Sequence, residues 1–188
     1  MGLGGSTRKA FLLVLYHCGL RTDEASHLIW QDLSEACKEL VIQPHVNLPG
    51  VFDWGPKGKA RRTLPVPACV LAALAELPRA TPYVFVPPAR YRQLLAGRSP
   101  ESRGLHTHCS LLLHSLPKGF RKLRELAGIR EGTLHEFRRT FVTNWLQKLP
   151  PHEVQLLAGH EDIQTTLAIY AEVTGAQVVE RARALQTA

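Results

Sequence analysis

No two cysteines stand close enough to suggest a metal knuckle or a dense disulfide framework. The four, Cys18, Cys37, Cys69 and Cys109, are spread along the chain without a Cys-x-x-Cys pair. A zinc ribbon and a disulfide-stapled secreted domain are therefore disfavoured, and a reducing cytoplasm fits best. Long hydrophobic runs are missing too. Runs such as Ala10 to Tyr16 are far shorter than the roughly 20 residues of a bilayer span, and that one lacks the small-residue cleavage pattern of a signal peptide. There is no long low-complexity tract and no internal repeat, so neither a disordered tail nor a solenoid is indicated.

What is present describes a folded, basic domain. The 188 residues suit one domain, or one with a small appendage, and 45% of them are apolar, enough for a sizeable core. Lysine and arginine total 23 against 16 acids, a formal charge of +7. With a pI near 9.5, the balance favours a polyanionic partner, nucleic acid or an anionic surface.

Periodicity gives a mainly helical outline. Residues 8–18 form a helix apolar nearly all round, which must be buried, and Gly19 closes it as a left-handed cap. A second helix is expected over about Thr22 to Leu33, with Asp23 and Glu24 in its first turn, where the helix dipole favours acids. Three short strands are expected at Leu40-Val41-Ile42, Val51-Phe52-Asp53-Trp54 and Arg62-Thr63-Leu64-Pro65-Val66. The turn chemistry of Gly55-Pro56-Lys57-Gly58-Lys59 joins the last two as a hairpin. A short helix follows from Ala68 to Leu77. Residues 78–110 read as loop, with one extended piece at Tyr83 to Val86.

The remainder is helical in pattern. Pro117 suits a first helical position, Phe120, Leu123 and Leu126 make an apolar stripe, and Gly128 ends that helix. Thr133 and Glu136 fit a capping box, after which Leu134, Phe137, Phe141 and Trp145 recur at helical spacing. Pro150-Pro151 breaks the pattern. Short helices are expected at about 152–158 and 163–171, and a last one near 175–186.

Five features carry candidate chemistry. Arg21 stands at a helix junction with Glu24 one turn on. Lys57, Lys59, Arg61 and Arg62 cluster on the expected hairpin. His135 and Arg138, three apart, share one helix surface. His160 follows the Gly159 helix stop, and Tyr170 nears the end of a short helix. Singly, each has a bland reading: a surface ion pair, a solvated strand edge, a satisfied histidine, a core tyrosine. Together they are what metal-free cleavage of a phosphodiester requires. Two guanidinium forks match the phosphate oxygens and stay charged. Preorganised cations stabilise the charge that gathers on a pentacoordinate phosphorus. A phenol can then attack if neighbours ease its deprotonation, and a lysine can protonate the leaving oxygen.

The local wording is more specific. Cys18-Gly19-Leu20-Arg21-Thr22-Asp23-Glu24-Ala25 resembles the first arginine box of tyrosine recombinases of the phage-integrase type. His135-Glu136-Phe137-Arg138-Arg139-Thr140-Phe141 resembles their His-x-x-Arg box. Leu156-Leu157-Ala158-Gly159-His160 is similar to their Leu-Gly-His motif. Ile163-Gln164-Thr165-Thr166 with Tyr170 resembles the nucleophile box, and Lys57 to Pro65 the lysine hairpin. The matches run in family order over about four fifths of the chain.

That resemblance implies a fold that is mainly α with a small antiparallel sheet (α+β). It implies that Arg21 and Arg138 bind the scissile phosphate, with Lys57 as general acid and Lys59 as its alternative. His135 acts in proton transfer, His160 hydrogen-bonds the phosphate, Glu24 supports the geometry, and Tyr170 attacks phosphorus to give a 3′-phosphotyrosyl link. Lys59, Arg61, Arg62 and Arg139 are expected at the DNA. No cofactor and no metal is called for, which agrees with the absence of clustered carboxylates.

The partner implied is double-stranded DNA, with no membrane. The assembly expected is a tetramer on two DNA sites and a monomer without DNA, in the cytoplasm at the nucleoid. Residues 1–188 are expected to be one catalytic domain without the family's N-terminal DNA-gripping domain, and residues 175–188 a helix that packs on a neighbouring protomer or on its own domain. Two rivals share this residue set: a non-catalytic DNA-binding remnant of the same fold, and a type IB topoisomerase-like relaxing enzyme. A third, a metal-dependent hydrolase using His106, His108, Cys109 and His114, shares none of it.

Overall fold

The computed structural model describes residues 3–56, 61–97, 112–113 and 116–171. Lys57, Lys59, the His106–His114 metal reading and the expected helix at 175–186 lie outside those residues.

The centre of the fold is helix α1 (Gly5–Cys18). Ala10, Phe11, Val14, Leu15 and Cys18 are buried on it, and it packs against both α3 (Ala68–Ala75) and α6 (His135–Leu146). Gly19 ends it at φ 63°, donating its amide to Leu15 O, as expected of a left-handed cap. Glycine is obligatory for a second reason: a Cβ there would lie 2.2 Å from the Phe141 ring.

Helix α2 (Thr22–Ser26) is shorter than its sequence pattern predicts. The residues expected to continue it are drawn into extended pairing instead. Leu28 O accepts Val84 N at 2.9 Å, Trp30 N donates to Pro82 O at 3.0 Å, and Ile29 bridges Tyr83. The β-branched and aromatic side chains there favour that conformation. A 3₁₀ turn (Trp30–Asp32) and a two-residue strand, β1 (Leu33–Ser34), follow.

The sheet is antiparallel and three-stranded, in the order β1, β2 (Glu39–Ile42), β3 (Arg62–Pro65). β3 therefore pairs with β2, Leu40 facing Leu64, and not with Val51–Trp54 as expected. From that segment only Trp54 bridges, to His45. Pro44, Pro49 and Pro56 interrupt the connection, and proline cannot donate to a ladder.

The stretch expected to be loop contains helix α4 (Pro88–Ala96), opened by Pro88 where a proline's missing N–H costs nothing. Helix α5 (Leu116–Leu126) is followed by Gly128 at φ 70°. The capping box at Thr133 does not form: helix α6 has no side-chain cap bond, and Glu136 N donates to the backbone carbonyl of Thr133. Helix α7 (Pro151–Ala158) stops at Gly159, φ 66°, and helix α8 spans 163–171. The main core joins α1, the sheet, α3 and the Tyr83–Val86 segment. A smaller one joins α6 and α7 through Phe141, Val142, Leu146, Val154 and Ala158.

Candidate active site

Arg21 precedes α2, and Glu24 one turn later receives it. The Glu24 carboxylate accepts the Arg21 backbone N–H at 2.8 Å and Arg21 Nη1 at 3.0 Å. From β3, Arg62 donates Nη1 and Nη2 to the two oxygens of the same carboxylate, at 3.0 and 2.6 Å. Glu24 is 1% exposed. Burial alone would raise its pKa, but the hydrogen bond and charge of Arg62, with the Arg21 amide and the Arg138 charge, hold it below the usual carboxylate value.

Arg138, one turn after His135 on α6, is buried, 2% exposed. It donates Nη1 to Gly19 O at 2.7 Å and Nη2 to Ala158 O at 2.5 Å. Burial, then the repulsion of Arg21 and Arg62, pushes its pKa down to about 9 against the pull of Glu24. It is still charged at neutral pH. Arg21 Nη2 donates to Gly159 O at 2.8 Å.

These arginines face a pocket of about 500 Å³ whose lining includes Arg21, His135, Arg138, Arg139 and His160. A second, of about 730 Å³, is lined by Arg61, Arg62 and Leu157 and shares His160 and Glu161 with the first. His160 thus stands between the two. Its burial, then the charges of Arg138, Arg21, His135 and Arg62, lower its pKa to about 4, so it is neutral at pH 7. Its Nδ1 lies 2.8 Å from Oγ1 of Thr166, a residue with no exposure. That contact orients the ring. If the threonine hydroxyl donates to Nδ1, Nε2 carries the proton and can donate to an oxyanion.

Of the sequence candidates, the structure brings Arg21, His135, Arg138, Arg139 and His160 to one pocket, with Glu24 beneath it. Tyr170 is on α8, 37% exposed, and does not line that pocket, although Ile169 does. Arg61 is on the exposed side of the β3 entry. Arg62 was expected at the DNA; its side chain is 9% exposed and turned inward on Glu24, and it also lines the second pocket. Thr166 was given no role from the sequence. The available signal was its position four residues before Tyr170, on the same helical face. Among the described residues no group of three or more His, Cys, Asp or Glu could hold a metal ion, and no helix is long and apolar enough to cross a membrane.

A helical domain with a three-stranded antiparallel sheet, two inward guanidiniums and a neutral histidine on one pocket is the fold and cation set of the phage-integrase, tyrosine-recombinase class. The family model described as "Phage integrase family" matches residues 4–177; the chain belongs to that family. A tyrosine recombinase XerC-like protein of Caldanaerobacter subterraneus subsp. tengcongensis is 27% identical over 191 residues, covering 91% of this chain and 47% of its own length. The chain thus spans about half the length of that curated relative.

Solved structures agree on the fold. XerH site-specific recombinase, in a post-cleavage complex with palindromic difH substrate, superposes with a TM-score of 0.61 at 17% identity, over 97% of this chain and 47% of that one. The Tn1549 transposon integrase in complex with transposon right end DNA gives 0.59 at 18% identity, over 97% and 66%. XerA recombinase gives 0.58 at 16% identity, over 96% and 63%.

Proposed function

We propose that this chain cuts and rejoins double-stranded DNA at specific sites through a 3′-phosphotyrosyl intermediate formed on Tyr170. The observation that carries this is the convergence of Arg21, Arg138 and neutral His160 on one pocket above a buried, ionised Glu24. Two fixed guanidiniums and an imidazole N–H suit the non-bridging oxygens of a phosphodiester. Both arginines are oriented by backbone carbonyls before substrate arrives, so little reorganisation is needed.

In the step itself, Tyr170 Oη attacks phosphorus and the bond to the 5′ oxygen breaks. The phenolic proton leaves through His135 or solvent. The departing 5′ oxygen takes a proton from Lys57, or from Lys59 in its stead. The phosphodiester is exchanged for a phosphotyrosyl ester, so rejoining by a 5′ hydroxyl needs no nucleotide hydrolysis. Arg61 and Arg139 contact the DNA backbone. The chain acts as one catalytic domain at the nucleoid, a monomer when free and part of a tetramer on paired sites.

A nicked duplex that loses its 5′ end after cleavage tests the reaction. Wild-type protein should form an SDS-resistant adduct on a pool of such duplexes randomised around the nick, and Tyr170→Phe should form none. An equal adduct from both would transfer the nucleophile elsewhere. No adduct from wild type would leave a DNA-binding domain without strand transfer.

A further inference from the structure

At its C-terminus a helix runs out of internal donors for its last carbonyls. At the end of α7 three consecutive carbonyls are each taken by a different arginine. Leu157 O accepts Arg62 Nε at 3.1 Å, Ala158 O accepts Arg138 Nη2 at 2.5 Å, and Gly159 O accepts Arg21 Nη2 at 2.8 Å. Two of the three are the phosphate-binding arginines of the proposed function. The third arrives from β3 and closes its fork on both oxygens of Glu24, and one of those oxygens also holds Arg21. Gly159 makes the approach possible, since a Cβ there would stand 2.7 Å from Arg62 Nη1.

We propose that Arg62 is a positioning residue of the active site. It fastens Glu24 to the end of α7, and through that shared carboxylate and helix end it fixes where Arg21 points. The proposal rests on the recombinase reading only for what Arg21 does. Arg62 engages its Nε, Nη1 and Nη2 groups inside the protein, so it has no planar fork left for a DNA phosphate. Lysine would keep the charge at that place, but a single ammonium cannot span two carboxylate oxygens and a carbonyl. Position and charge are therefore separable by substitution.

The test compares wild type, Arg62→Lys and Arg62→Gln in the full chain. Three quantities are measured: affinity for inorganic phosphate, followed by side-chain NMR of the guanidiniums; affinity for a non-specific duplex across a salt series; and adduct rate on the nicked-duplex pool. Both variants should lose about tenfold or more in phosphate affinity and in adduct rate, about 1.4 kcal/mol per tenfold. Duplex affinity should fall no further than phosphate affinity does, and by the same factor in Arg62→Lys as in Arg62→Gln.

Full recovery in Arg62→Lys would overturn the proposal, because charge alone would suffice. A salt slope shallower by about 0.9 in Arg62→Gln with phosphate affinity unchanged would overturn it as well, because the lost contact would then be Arg62's own. Should wild type form no adduct, the recombinase reading fails, while the phosphate arm still decides on Arg62. Wild-type spectra cover the case of variants that do not fold. Arg62 Nη signals should be resolved and slow to rotate, and free rotation would refute the inward clamp.

Discussion

His160 owes its neutrality to burial and to the positive charges around it, and this has a measurable cost in acid. Its pKa is about 4 in the folded protein against 6.5 for a free histidine. Between those values the unfolded chain binds the proton that the folded chain refuses, so stability rises with pH through the window. The contribution is complete above about 6.5 and is lost as pH falls toward about 4. Melting curves of wild type and His160→Gln should run parallel above that window, and wild type should fall more steeply within it. Equal slopes would mean that the ring takes up its proton alike in the folded and unfolded chains, so that burial does not hold it neutral.

Arg138 makes a second prediction at this scale. Arg138→Met leaves Gly19 O and Ala158 O without their donor, and a buried unsatisfied acceptor costs about 1–3 kcal/mol. Denaturant unfolding should show a loss of that order, and an unchanged midpoint would exclude the buried clamp. That these residues form a candidate set was legible in the sequence, because side-chain type and local spacing are written there: Arg21 with Glu24, His135 with Arg138, His160 after Gly159. The employment of Arg62 was not, because its partner Glu24 lies on a different element and no local pattern records that meeting.

Among the elements, α1 was legible from its all-round apolar pattern, and so were α7 and α8, which Pro150-Pro151 and Gly159 punctuate. The end of α2 and the partner of β3 were not. Both are decided by tertiary pairing, Leu28 to Trp30 with Pro82 to Val84 and Leu40 with Leu64, which overrides local preference. Gly19 joins the two kinds of information. Its left-handed backbone was readable, but the Phe141 ring against it was not. Gly19→Ala combines about 1–2 kcal/mol of backbone strain with about 1–3 kcal/mol of overpacking. It should lower stability by more than either alone and disturb Arg138, which donates to the Gly19 carbonyl. A thermal melt like that of wild type would contradict the packing of α6 on the α1 cap.

For the molecule as a whole, a formal charge of +7 dictates how binding responds to salt. Non-specific affinity for duplex DNA comes from phosphate neutralisation and counterion release, so it should fall at least about tenfold between about 50 and about 200 mM salt. Titrations of a labelled duplex would measure this, and an affinity unchanged across that range would contradict it. The three arginines that cap α7 have a consequence for the life history of the protein. They enter from the α2 start, from β3 and from α6, and they meet at one helix end. Arg138 and the carbonyls that all three hold come late in the chain, so a nascent chain that has not reached α7 cannot hold the three at one helix end. On the proposed function, the phosphate clamp then exists only once α7 has docked beside β3, and an unfinished chain lacks it.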